Sequence, residues 1–332
     1  MGIGVAFALA AGMMWGLVFV GPLLLPEYPA TLQSYGRYLA FGLVALPLGW
    51  LDRRELARLT RADWREALKL AAVGNLAYYL CLASAIQQIG APLATMIIGT
   101  LPVVIAVAAN RRNRRRDGQL PWLQMAPSLF AIGAGIACVN QAELHLAASG
   151  AVAGSRLGGV LLAIGAVACW TWYPLRNGDW LRDHPGRNPR AWATAQGLAT
   201  LPLALAGYLL TWLWYAVAGE TFPMPLGPRP GFFVALMVSI GLLASWLGTL
   251  CWNEASQRLP TALVGQLIVF ETLAALAYAF LVRGAWPAPL TLTGILLLVG
   301  GVMWALRQRP VQLDVAVPPA ADAPGDPARD RS

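Results

Sequence analysis

Ten stretches of this sequence are each about as long and as apolar as a helix that crosses a lipid bilayer. A spanning helix needs about 20 mostly apolar residues, because the hydrocarbon core is about 30 Å thick and each helical residue rises about 1.5 Å. The sequence therefore predicts an all-α integral membrane protein of about ten transmembrane helices. The predicted spans cover residues 3–25, 31–51, 67–89, 91–110, 121–140, 157–176, 191–216, 231–256, 261–282 and 288–307.

Composition agrees with a membrane protein. The chain of 332 residues is 58% hydrophobic and only 12% charged, whereas a soluble domain is typically about 45–50% apolar and about 25% charged. Membrane lipid is therefore one expected partner of the chain.

The basic residues predict the orientation. Of the 24 lysines and arginines, Arg37 lies within the second span, and only Arg156, Arg229 and Arg283 fall on the opposite side of the membrane from the rest. Lysine and arginine accumulate in cytoplasmic loops, so both termini are predicted to be cytoplasmic. The basic block "NRRNRRRDG" then anchors the topology, and nucleic acid is not expected as a partner.

An internal repeat divides the chain. Trp15 aligns with Trp170, and the same offset of 155 places "LVALPL" over "LATLPL"; at an offset of 170, "LCLASAIQ" lies over "LCWNEASQ". Each half has five spans, an odd number, so the second half enters the membrane inverted, as is typical of secondary transporters. The predicted divisions are a first five-helix repeat over 1–142, a connecting loop over 143–156, a second five-helix repeat over 157–309, and a disordered cytoplasmic tail over 310–332.

Motifs of ATP hydrolysis and of common hydrolases are missing from the sequence. No GxxxxGK[ST] phosphate loop, HExxH or GxSxG is present, so neither direct use of ATP nor these enzyme classes is indicated. The cysteines lie in apolar spans and the two histidines in connections, a distribution that predicts no metal site, no cofactor and no catalytic residue. The cysteines and histidines are Cys81, Cys138, Cys169, Cys251, His145 and His184.

Glu271 is the most unusual polar residue within a span. It lies in the middle of "LIVFETLAAL", where a carboxylate too short to reach the interface must face the protein interior and be protonated, hydrogen-bonded or paired with a cation. Its repeat-equivalent is Leu101, so only one half carries the carboxyl group. Two roles are open at this point: contact with a substrate or a proton, and a structural hydrogen bond between helices.

Other polar and aromatic residues within spans are candidates for substrate contact, because a path for an amphipathic solute needs ring faces and a few hydrogen-bonding groups. Aromatic residues also form belts at membrane interfaces, and Arg37 could either bind a carboxylate or extend to the interface. Gln196 and Gln266 are expected to join helices. The full candidate set is Trp15, Arg37, Asn75, Tyr78, Tyr79, Trp170, Tyr173, Ser245, Trp246 and Glu271.

Several short motifs together resemble a known family. They are "AGMMWG" in the first span, Arg37 in the second, Pro102 in "GTLPVVIA" of the fourth, and Glu271 in "VFETLAAL" of the ninth. Across about residues 3–307 the chain resembles the ten-helix EamA branch of the drug/metabolite transporter superfamily. The run "FETLAALAYAFLVRG" is most similar to bacterial exporters of aromatic and other amino acids.

This resemblance implies a secondary transporter of the bacterial inner membrane that exports small amphipathic metabolites, amino acids first, by alternating access. Coupling to protons is left open, and export of drugs or other hydrophobic metabolites is the alternative. A channel would need a continuous hydrophilic stripe along several spans, and an integral-membrane enzyme would need catalytic groups clustered at one depth. The sequence shows only scattered polar residues.

Overall fold

The structure is entirely helical where it is described. This computed structural model describes residues 2–19, 21, 24–89, 94, 97–112, 121–147, 156–219, 221–284 and 286–307, and every regular element in those ranges is a helix. The all-α prediction is therefore confirmed. The predicted tail and residues 148–155 of the predicted connecting loop lie outside the described residues.

The first half of the chain contains helices in each of its five predicted spans, with residues 90–93, 95 and 96 of the fourth region outside the described part. A capping box starts α4, because Thr60 and Asp63 exchange side-chain and backbone hydrogen bonds, which satisfies two free N–H groups. The helices are α1 Gly2–Gly16, α2 Ala30–Leu51, α3 Arg53–Leu56, α4 Arg61–Leu70, the π-helix π1 Ala71–Ala77, α5 Tyr78–Ile89, α6 Leu101–Arg112 and α7 Trp122–Ala147.

The second half likewise contains helix in its five predicted spans. Two of its helices end at glycines with positive φ, Gly219 at 68° and Gly284 at 61°, the conformation that closes many helix C-termini. The helices are α8 Arg156–Asp183, α9 Pro189–Ala218, α10 Pro230–Ile240, the π-helix π2 Gly241–Leu247, α11 Gly248–Arg258, α12 Thr261–Leu267, α13 Val269–Arg283 and α14 Pro289–Leu306.

Five helical stretches are long and apolar enough to cross a membrane, judged by length and composition. They cover Trp122–Val139, Leu157–Asp183, Pro189–Ala218, Pro230–Arg258 and Leu263–Val282. Two shorter apolar helices, Gly2–Gly16 and Pro289–Ala305, accompany them. Many large apolar side chains on the outside of the bundle are exposed, including Leu123 at 90% and Phe130 at 78%, as expected for a surface that lipid covers. A chain with several such helices is a multi-pass membrane protein.

The core lies between the two halves of the chain. Its most extensive helix contacts join a helix of the first half to one of the second. Most of these contacts follow the repeat: α2 with α9, α6 with α12, α7 with α14, α1 with α11, and α8 with α5. The extensive contact of α1 with α13 departs from it, because its counterpart between α8 and α6 is much smaller.

Candidate functional site

Two π-helices place polar side chains in the interior. π1 and π2 each have seven residues and are 170 positions apart, the same offset that relates the third and eighth predicted spans. π1 carries Asn75, and π2 carries Ser245 and Trp246. Single π-turns within helices occur frequently at functional sites, because the widened turn re-aims side chains. Asn75 and Ser245 are equivalent positions of the repeat.

Glu271 lies just after a break in the ninth predicted span. α12 ends at Leu267 and α13 begins at Val269, so Glu271 falls in the first turn of a new helix. The break is one residue long: Ile268 keeps helical dihedral angles (φ −62°, ψ −21°), and the Glu271 N–H donates to Ile268 O at 3.0 Å. α1 packs closely against this turn, since a Cβ on Gly12 would lie 3.0 Å from the Glu271 backbone nitrogen.

Arg37 faces the interior, not the membrane interface. Its Nε donates a hydrogen bond to Ser245 Oγ at 3.0 Å, and its guanidinium carbon lies 4.8 Å from the ring centre of Tyr38. Of the two roles left open for Arg37, extension to the interface does not fit this geometry.

Aromatic rings form a connected cluster beside these charges. Trp170 stacks on Tyr173, with ring centres 5.0 Å apart, and on Tyr78, at 4.8 Å. Trp15 meets Trp170 edge-on at 5.5 Å and Trp252 at 5.0 Å. Aromatic pairs at these distances attract one another beyond the effect of area burial. The cluster brings together the first and third predicted spans of both halves.

Exposure divides the candidate residues into two groups. Trp15, Tyr78, Tyr79, Tyr173 and Ser245 are buried. The side chains that remain partly accessible inside the bundle, and that a solute could touch, are Arg37, Asn75, Trp170, Trp246 and Glu271.

Tyr38 and Tyr78 link Arg37 to the aromatic cluster. Tyr38, Tyr78 and Tyr79 are buried in one apolar cluster, and Trp170 and Trp246 pack against it. Tyr79 meets Tyr38 edge-on, with ring centres 6.4 Å apart. Because Arg37 lies over the Tyr38 ring, these tyrosines connect it to Trp170.

Two candidates bind threonines of α9. Asn75 Nδ2 donates to Thr200 Oγ1 at 3.1 Å, and Trp246 Nε1 donates to Thr194 Oγ1 at 3.1 Å. These threonines could not be predicted as partners, because threonine in an apolar helix most often bonds its own backbone, as Thr200 does to Gln196.

A buried hydrogen-bond network joins Tyr173 of the aromatic cluster to side chains of α8, α9 and α11. The Tyr173 hydroxyl donates to Gln196 Oε1 at 2.9 Å, and Gln196 Nε2 donates to Asn177 Oδ1 at 3.1 Å. Asn177 also accepts from Trp192 Nε1 at 2.9 Å and donates to Asn253 Oδ1 at 2.8 Å. Asn177 was missed, since an isolated asparagine within an apolar span carries no pattern.

The two glutamines join helices, as expected. Gln196 joins α8 to α9, and Gln266 of α12 accepts from Ser128 of α7 at 2.7 Å.

Within the ranges that the structure describes, no group of three or more His, Cys, Asp or Glu side chains is placed to hold a metal ion. The absence of a cofactor stays a prediction.

Comparison with known proteins places this fold and site in context. Residues 2–142 match the EamA-like transporter family. The chain is 56% identical over 307 residues to inner membrane protein YtfF of Escherichia coli (strain K12), an alignment that covers 92% of this chain and 96% of that protein.

A crystal structure with 17% sequence identity aligns with a TM-score of 0.69, covering 91% of this chain and 96% of the other. At this identity the likeness shows the fold alone. The sequence match to the Escherichia coli protein shows the family as well, because 56% of the residues are identical over 92% of this chain. The chain belongs to the EamA-like transporter family.

Proposed function

We propose that the protein is a secondary transporter of the bacterial inner membrane that exports small amphipathic metabolites, amino acids first. A location in the inner membrane is supported by the 56% identical relative, which is an inner membrane protein. Both termini are proposed to be cytoplasmic, from the distribution of lysine and arginine.

We further propose ten transmembrane helices in two inverted five-helix repeats. Two features support this arrangement: most of the extensive helix contacts between the halves follow the symmetry of the repeat, and π1 and π2 occupy equivalent positions. In addition, α6 begins at Leu101 and α13 at Val269, two residues before the repeat-equivalent of Leu101. Sites of inverted-repeat transporters lie where such broken helices of the two halves meet.

The observation that carries the proposal is the placement of two opposite charges around an aromatic cluster. Arg37 bonds Ser245 and lies over Tyr38, and the turn that carries Glu271 packs against α1, the helix of Trp15. The partly accessible ring of Trp170 stacks on two tyrosines of this cluster. An amino acid with an apolar side chain offers a carboxylate to Arg37, an ammonium to Glu271 and an apolar body to the rings. Arginine suits the carboxylate because its planar fork donates two parallel hydrogen bonds.

Transport would proceed by alternating access, with the third and fourth helical regions of one half moving against the eighth and ninth of the other. Glu271 could take up a proton when the substrate leaves, which would couple export to the proton gradient.

Counterflow in proteoliposomes tests the function. Purified protein is reconstituted into vesicles loaded with an unlabelled amino acid, and entry of the radiolabelled form is followed for a panel of amino acids, with and without a pH gradient. The proposal expects accumulation of aromatic and other apolar amino acids above protein-free vesicles. Exchange restricted to hydrophobic drugs would favour the alternative exporter, and passive flux without exchange would favour a channel.

A further inference from the structure

A set of ion pairs joins the two halves of the chain at one end of the bundle, where α2 and α8 end and α4 and α9 begin. In three of the four, the first half supplies the acid and the second half supplies the arginine. The four pairs are Asp52–Arg190, Asp63–Arg187, Glu66–Arg176 and Arg112–Asp179.

The acidic partners from the first half are largely removed from solvent. Asp52, Asp63 and Glu66 are only 4%, 5% and 7% exposed. Burying a carboxylate is unfavourable unless a cation or hydrogen-bond donors compensate it. Arg190 Nε donates to Asp52 Oδ1 at 3.0 Å and Arg176 Nη2 donates to Glu66 Oε2 at 3.1 Å, whereas Lys69 of the same half lies 3.9 Å from Glu66 and is largely exposed. The hydrogen bonds that compensate the two acids therefore come from the opposite half.

The opposite end of the bundle is held differently. Among the described residues, the ion pair that joins the halves there is Glu27–Arg229, at 2.6 Å, and its side chains are 35% and 48% exposed. A single exposed pair of this kind typically contributes little. Electrostatic attachment between the halves is therefore concentrated at the end that carries Asp52 and Glu66.

The interface at this end has a polar part and an apolar part. A cavity of about 330 Å³ is lined by Asp63 and Glu66 of the first half and by Arg176, Trp180 and His184 of the second, while Leu70 of α4 lies in an apolar cluster with Trp180 and Trp192. The charged groups can be rehydrated when they part, whereas parting the apolar cluster exposes hydrophobic surface to water, so the ion pairs mark the part of this interface that can open.

One side chain connects these ion pairs to the candidate site. The Thr194 hydroxyl lies 3.1 Å from Asp52 Oδ2 and accepts from Trp246 Nε1 at 3.1 Å. Trp246 belongs to π2, next to Ser245, which holds Arg37. A movement that separates Asp52 from Arg190 therefore shifts a neighbour of the substrate-facing residues.

We propose that the four ion pairs form a latch that closes the candidate site at this end of the bundle, and that their separation opens the site to that side of the membrane. The inference rests on the proposed transport function. It identifies the latch as the gate that is closed in this structure. Under the proposed orientation this gate is cytoplasmic, where an exported solute enters.

The latch is tested by accessibility of a reporter cysteine, without any substrate. The four native cysteines are replaced by serine, and Asn75→Cys, a partly accessible site position, is labelled with a membrane-impermeant maleimide in inside-out and right-side-out vesicles. Glu66→Gln and Arg176→Gln each break one latch pair. Glu55→Gln is the matched control, because Glu55 pairs with Arg58 of the same half.

Breaking one pair should accelerate labelling from inside-out vesicles by about two- to fivefold, a shift typical of one partly exposed ion pair. The control should label at the parent rate. The charge-swapped variant Glu66→Arg with Arg176→Glu should restore slow labelling, which also guards against misfolding of the single variants. Equal rates in all variants, or fast labelling in the charge-swapped protein, would overturn the latch. Latch-dependent labelling, combined with no amino acid exchange by vesicles that contain the protein with Asn75 intact, would instead contradict the proposed function alone.

Discussion

Repeat-equivalent residues have acquired different environments in the two halves. Trp15 and Trp170 align in the sequence and touch in the structure, yet Trp15 is 4% exposed whereas Trp170 remains partly accessible. Trp15 fills a tight space, since a Cβ on Gly248 would lie 2.9 Å from its Nε1. Trp170 instead presents an aromatic face between two tyrosines. The sequence placed both on the substrate path, because exposure cannot be inferred from a shared motif.

The two tryptophans should therefore respond differently to truncation. Trp15→Ala should lower the free energy of unfolding by about 3–5 kcal/mol, the usual cost of emptying a buried aromatic site. Trp170→Ala should destabilise less and should reduce transport per folded molecule. Thermal unfolding in detergent and counterflow, both normalised to folded protein, measure the two effects. Equal losses of stability with unchanged transport by the Trp170 variant would assign both rings to packing.

At the scale of elements, the sequence predicted where helices lie but not where they are interrupted. Hydropathy responds to the length of an apolar run, so the predicted spans coincide with helices, and the repeat offset of 170 already superposed residues 71–77 on 241–247. Nothing in that pattern distinguishes a π-helix from an α-helix, because both satisfy the backbone internally. The break before Glu271 was missed for the same reason. Threonine partners such as Thr194 also give no periodic signal.

Gly74 of π1 is packed so closely that it has no room for a side chain. A Cβ on Gly74 would lie 2.2 Å from Tyr173 Cδ2, so Gly74→Ala must displace a ring of the aromatic cluster. Overpacking of this kind typically costs about 1–3 kcal/mol. Gly165→Ala of α8 is the control, because its Cβ would meet only Cys81 Sγ, at an ordinary 3.6 Å. Thermal unfolding should show a loss for the first variant and little change or a gain for the second; the reverse order would contradict this packing.

The start of α4 gives a pH prediction. Burial raises the pKa of Asp63, but hydrogen bonds from the Thr60 backbone, the Trp180 indole and the Thr60 hydroxyl outweigh it, and the pKa lies below its usual value. Arg187 at 3.8 Å and His184 at 3.9 Å also face the carboxylate. Because the pKa of Asp63 is lower in the folded than in the unfolded protein, its ionised carboxylate stabilises the fold at pH values above the unfolded pKa of about 3.9. This stabilisation is lost as the pH falls through the folded pKa.

Asp63→Asn should therefore lower the unfolding temperature by a constant amount between about pH 5 and 8, and the difference should shrink below about pH 4. Both proteins carry His184→Gln, so that no titration of this neighbour enters the comparison. A difference that disappears already near neutral pH would show that the ionised carboxylate is not the source of the stability.

For the whole molecule, the charge distribution predicts which ends of the helices face the cytoplasm. Gly186 follows α8 and Gly231 is the second residue of α10; both are exposed, and a Cβ at either position would meet no atom within 4 Å. Single cysteines at these positions, in a cysteine-free background, should be labelled by an impermeant reagent from opposite sides, Gly186→Cys from the cytoplasm. Labelling of both from one side would contradict the ten-span arrangement.

The sequence predicted only the general arrangement of the two halves. Short matching motifs indicated a repeat, and an odd number of spans in each half indicated its inversion, but the contacts between α2 and α9 or between Arg37 and Ser245 depend on three-dimensional packing. Glu271 was recognised because a carboxylate in an apolar run is costly. Arg37 was recognised as a candidate, while its contacts with Ser245 and Tyr38 were not.

Competition by substrate analogues tests the central claim, that Arg37 binds the carboxylate and Glu271 the ammonium of an apolar amino acid. Counterflow of radiolabelled phenylalanine is inhibited with unlabelled phenylalanine, with phenylalaninamide, which lacks the carboxylate, and with 3-phenylpropionate, which lacks the ammonium. Arg37→Gln should weaken inhibition by phenylalanine and 3-phenylpropionate about tenfold or more, the loss typical of a charge-assisted hydrogen bond, and spare phenylalaninamide. Glu271→Gln should weaken phenylalanine and phenylalaninamide and spare 3-phenylpropionate. Equal weakening of all three compounds by both variants would contradict the assignment.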